Sequence, residues 1–138
     1  MIDDHLARID ELLTTPFPTE EGWHGQRFSG PRHHVLVLRA SQDFWDDRSE
    51  EIVEAAEELI DTDLRAVAGE LTQRWGEPEV VDLMTYLEVP APEPVAKLSM
   101  LTSTMMRWRP PGERWLALAV GQEDSEFPIE LIAAVGTA

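Results

Sequence analysis

The sequence has no cysteine, which removes thiolate nucleophiles, disulfide frameworks and thiolate metal sites. Any metal ligand must then be an imidazole or a carboxylate. Positive charge is scarce: 11 Lys and Arg against 27 Asp and Glu leave a net charge of −16, and every basic residue except Lys97 is an arginine. A surface of that sign repels phosphate backbones and anionic membranes and attracts cations and basic proteins, so neither nucleic acid nor membrane is an expected partner. No apolar run approaches the roughly 18 residues of a membrane span, and the acidic start Met1-Ile2-Asp3-Asp4 lacks the positive charge of a signal peptide, so the expected location is cytoplasmic. The glycine loops that cradle phosphates and the nucleophile elbow of serine hydrolases are also absent, so enzymes with those signatures are excluded. No cofactor is expected.

The chain does have 138 residues with 43% hydrophobic content, enough for one real core without a metal or disulfide staple. Ile2, Leu6, Ile9 and Leu13 recur at helical spacing before Pro16 and Pro18, which predicts a helix over Asp3 to Thr14. Residues 16–32 are turn-rich, with a short strand expected near Trp23 to Phe28. The apolar run from His33 to Ala40 predicts a central strand covered on both faces.

Ile52, Ala56, Ile60, Leu64, Val67, Leu71 and Trp75 form one stripe of a long helix, with Asp47 and Glu50 spaced as a capping box and Gly76 and Pro78 at its end. Such a helix would be about 40 Å long, so the stripe fits either one continuous helix or two helices parted near Asp61-Thr62-Asp63. Val80 to Leu87 reads as a strand. The alternating prolines before Pro94 read as a stiff connector, and Val95, Leu98 and Leu101 fit either a short helix or a strand. Ser103 to Arg109 and Arg114 to Val120 flank a Pro-Pro-Gly-Glu turn and predict a hairpin. A third run from Phe127 to Val135 extends it to a meander. The sum is a single α+β domain over 1–138. Its antiparallel sheet of about five strands ends in a three-stranded meander, packed on an N-terminal helix and a long, breakable central helix.

Placing Pro110 to Glu113 in the hairpin loop sets Arg109 opposite Arg114 and Trp108 opposite Trp115. The three arginines Arg107, Arg109 and Arg114 then share a face, and paired guanidiniums beside the indoles of Trp108 and Trp115 suit an anionic or aromatic ligand. The same residues also serve a purely structural hairpin. Glu50, Glu51, Glu54, Glu57, Glu58 and Glu70 crowd the central helix without lysine between them. They form either a solvated face or a ridge for a basic protein, with Glu50, Glu54, Glu57 and Glu58 as its candidate contacts. His24, His33 and His34 raise a metal site, but adjacent strand residues point to opposite faces, so no metal is expected. The acidic Glu123 to Glu126 turn lacks a calcium-loop pattern.

Apolar residues line both faces of the last strands. If helices cover only one, the other calls for a second copy, so a homodimer is expected. The leading expectation is an acidic, non-catalytic protein-binding module, immunity-, antitoxin- or chaperone-like in character. The alternative is a small-molecule binding domain, or an enzyme without a readable motif, with its pocket at the Arg/Trp hairpin.

Overall fold

The computed structural model describes residues 2–137. In α1 (Ile2–Thr14) the helical spacing turns His5, Leu6, Ile9 and Leu12 inward, and the chain leaves the helix before Pro16. A small hairpin follows, β1 (Gly22–His24) and β2 (Arg27–Gly30), reversing at Gly25, whose φ of 67° suits a residue without a Cβ. The single strand expected near Trp23 to Phe28 is therefore two. β3 (His33–Ala40) matches its expected range and carries a register shift between Val37 and Arg39. Arg8 of α1 donates to the Val37 and Leu38 carbonyls at that irregularity, at 3.1 and 3.0 Å.

α2 (Glu50–Trp75) is one unbroken helix of 26 residues, so of the two arrangements the continuous one forms. Neither aspartate acts as an internal cap. Asp61 pairs with Arg65 at 3.2 Å one turn on, and Asp63 turns inward to accept from His5 and Arg39 at 3.1 and 3.0 Å. Burying Ile60, Val67 and Leu71 contributes about 1.5–3 kcal/mol each. Repulsion among exposed glutamates costs only a few tenths of that per pair, so packing wins. The expected capping box does not form: Asp47 accepts from the Ser49 N–H at 2.9 Å, before the helix begins. The other end is as expected, with the Gly76 N–H donating to the Thr72 carbonyl.

β4 (Glu79–Asp82) is half as long as expected because the Asp82 carboxylate accepts from the Met84 N–H at 2.9 Å and starts a 3₁₀ turn over Met84–Tyr86. The connector leads to α3 (Val95–Ser99), then β5 (Thr104–Trp108), β6 (Arg114–Gly121) and β7 (Glu130–Thr137). The sheet is antiparallel throughout, with seven strands rather than about five, in the order β1-β2-β3-β7-β6-β5-β4. The C-terminal meander is present as β5, β6 and β7.

One face of the sheet packs Leu36, Leu38, Trp108, Leu116, Leu118, Leu131 and Val135 against α1 and α2. The other packs Val35, Met105, Trp115, Ala117, Ala119, Ile132 and Ala134 against Leu83, Val95 and Leu98. Residues 83–101 thus cover the second face from within the chain, and the reason for expecting a second copy there is removed. No helix among the described residues is long and apolar enough to cross a membrane.

Candidate functional site

The β5–β6 register decides what the hairpin presents. Met106 pairs with Leu118, Arg107 with Ala117 and Trp108 with Leu116, one residue displaced from the expected pairing. The reversal centres on Gly112, whose φ of 110° is accessible to glycine. Pro110 and Pro111 offer no N–H to close a tighter loop.

A slip of one residue exchanges faces. Trp108 therefore enters the core beneath α1 and α2, while Trp115 lies on the opposite face, and the two indoles do not stack. Arg114 falls on the other face from Arg107. It crosses to α1, donates to the Leu12 carbonyl at 2.8 Å and lies 3.9 Å over the Phe17 ring, so it closes the C-terminal end of α1. Burial pushes its pKa below the usual arginine value.

On the Trp115 face the arrangement is rebuilt with a different third arginine. Arg107, Arg109 and Arg32, the last from the β2–β3 turn, line one cleft of about 450 Å³ together with Trp115, Tyr86 and Glu93. Arg107 donates to Glu79 Oε1 at 2.8 and 3.1 Å and lies 5.6 Å from the Trp115 ring centre. Arg109 approaches the same Glu79 oxygen at 3.9 Å, and Arg32 has no ion-pair partner among the described residues. The hydrogen bonds and charge of Arg107 hold the Glu79 carboxyl below its ordinary pKa. The Trp115 indole lies flat on Gly136, where an added Cβ would come within 2.3 Å of it. A shallower hollow of about 510 Å³ at the hairpin tip does bring Arg109 and Arg114 together beside Trp115, as expected, but with two arginines rather than three.

The histidines separate as strand alternation requires. His34 is fully buried: its Nε2–H donates to the Thr15 carbonyl at 3.0 Å and its Nδ1 accepts from the Ser29 hydroxyl at 2.6 Å, while that hydroxyl accepts from Arg27 Nε. Burial pushes its pKa down, reinforced by Arg27 and Arg114 and opposed by the Thr15 bond. His33 points the other way, toward Glu21 and Glu93, and His24 is exposed. Sequence reasoning missed this Glu21, His33 and Glu93 grouping, because the residues come from three separate segments with no spacing to mark them. It missed Arg32 for the same reason.

Glu50, Glu54, Glu57 and Glu58 are all exposed on α2, as the ridge requires, while Ile52 and Leu59 are exposed on a different side of the helix. Compared with protein-family models, with curated proteins and with solved structures, the chain matches none.

Proposed function

We propose that this chain binds a small anionic ligand, whose carboxylate or phosphate sits among Arg32, Arg107 and Arg109 beside Trp115. The observation that carries this reading is that three arginines line one cleft in a molecule of net charge −16, two of them sharing the Glu79 carboxylate and with Glu93 the one carboxylate in the lining. As a brace the arrangement adds little, since exposed ion pairs contribute at most about 1 kcal/mol. As a receptor it offers planar, bidentate donors beside an aromatic edge, in a volume suited to a small molecule.

The test is a thermal-shift series with inorganic phosphate, pyrophosphate, citrate and aromatic carboxylates at low salt. A ligand present at 100 times its Kd stabilises by about 2.7 kcal/mol, or roughly 8 °C for a chain of this size. Arg32→Gln should abolish that shift while leaving the unliganded melting temperature unchanged. A panel without effect, or a shift that survives Arg32→Gln and Arg109→Gln together, refutes the reading.

A second reading rests on a different surface. The Glu50, Glu54, Glu57 and Glu58 ridge on α2 is suited to a basic protein partner. That association would weaken steeply with salt and with charge reversal at Glu54 and Glu58.

A further inference from the structure

We propose that Glu21, His33 and Glu93 form a binding site for one first-row divalent transition ion, Zn²⁺ or Mn²⁺ by ligand type. This goes beyond the anion reading and does not depend on it. One ligand atom from each of the three residues lies within 4.8 Å of the others. They are supplied by the loop before β1, the start of β3 and the connector before α3. Because those segments are far apart in the chain, the grouping is a product of the fold.

The observation that points to a ligand is the His33 imidazole. Its residue is 2% exposed, yet Nε2 has no hydrogen-bond partner, and the nearest carboxylate oxygen, from Glu21, stands 3.9 Å away, too far for a hydrogen bond. A buried, unpaired ring nitrogen costs free energy, and an ion between it and the two carboxylates would satisfy all three. Gly30, paired with His33 across the hairpin, makes room for the ring: a Cβ there would come within 2.4 Å of Cε1.

The Glu93 carboxylate is itself oriented, because its Oε1 accepts from the Lys97 backbone N–H at 2.8 Å. Lys97 sets a positive charge near the imidazole, its ammonium held 4.7 Å over Phe28 and 5.9 Å over Trp23. Metal bonds of about 2.0–2.2 Å require the ligand atoms to close by roughly an ångström, which the half-exposed Glu21 side chain can supply.

The experiment is calorimetric titration of the full chain with ZnCl₂ and MnCl₂, with CaCl₂ and MgCl₂ for comparison. The expected result is one transition-ion site per chain, at least tenfold tighter than either hard cation. Glu21→Gln, a surface change that leaves the fold intact, should weaken it by about tenfold or more. His33→Gln should abolish it, His24→Gln should leave it unchanged, and Lys97→Met should tighten it. Weak multiple binding indifferent to Glu21→Gln would show ions collecting on a negative surface and overturn the proposal, as would no binding at all.

Discussion

Gly136→Ala should destabilise this protein through Trp115 alone. The new Cβ would stand 2.3 Å from Trp115 Cζ2 and 2.5 Å from Cε2, and neither strand can withdraw because Trp115 and Gly136 are a paired position of β6 and β7. Backbone conformation is not the obstacle, since only Gly25, Gly76 and Gly112 have positive φ. The indole must therefore tilt out of its packing against Ala117 and Ala134, an overpacking change that costs about 1–3 kcal/mol. For a chain of this length that lowers the melting temperature by roughly 3–10 °C. Gly69→Ala in the middle of α2 is the internal control, because nothing lies within 4 Å of its added Cβ. It should instead raise stability by about 0.5–1 kcal/mol. Urea melts followed by tryptophan fluorescence measure both. If Gly136→Ala matched the wild type, or the two variants shifted in the same direction, the register that places Trp115 beside the cleft would be wrong.

Other consequences follow from buried charge and packing. Because His34 is neutral and its folded pKa lies below the ordinary 6.5, the unfolded chain takes up a proton first. Stability should thus be full above 6.5 and fall as the pH drops below it, by at most about 1.4 kcal/mol per pH unit for this group. His34→Gln should flatten that slope in urea melts. At Asp63, hydrogen bonds and charge from His5 and Arg39 outweigh the effect of burial and hold the carboxyl below its ordinary 3.8. Its stabilisation is present above 3.8 and lost as the pH falls through the lower folded value. Asp63→Asn should cost about 1–3 kcal/mol near neutrality and progressively less in acid. Trp108→Ala should cost about 3–5 kcal/mol, measured by the same melts, because the indole is 1% exposed in the core beneath the helices.

Much of the architecture was legible because apolar spacing speaks directly about which face is buried. The α2 stripe through Ala56, Ile60, Val67 and Leu71 identified a helix, and the run His33 to Ala40 identified an interior strand. What the pattern did not convey was register. Trp108 and Trp115 are apolar on either pairing, so only the Gly112 reversal decides which faces the helices, and that single position moved Arg114 out of the site and left Arg107 and Arg109 in it. The unbroken α2 had a similar cause: Asp63 looked like a cap in sequence, whereas its partners, His5 and Arg39, lie in other elements. The second face of the meander looked uncovered because Leu83, Val95 and Leu98 sit in a proline-rich segment without regular periodicity. Arg32 and the Glu21, His33 and Glu93 grouping depend wholly on tertiary proximity.

The central claim is that the cleft at Arg32, Arg107 and Arg109 receives an anion. It is tested most directly by following the arginine Nε–H resonances of the ¹⁵N-labelled protein during titration with inorganic phosphate and with citrate at low salt. The account predicts saturable shifts at those three arginines, with Arg114, tied to the Leu12 carbonyl, unmoved. Shifts spread evenly over all exposed arginines, or none at any of the three, would contradict it.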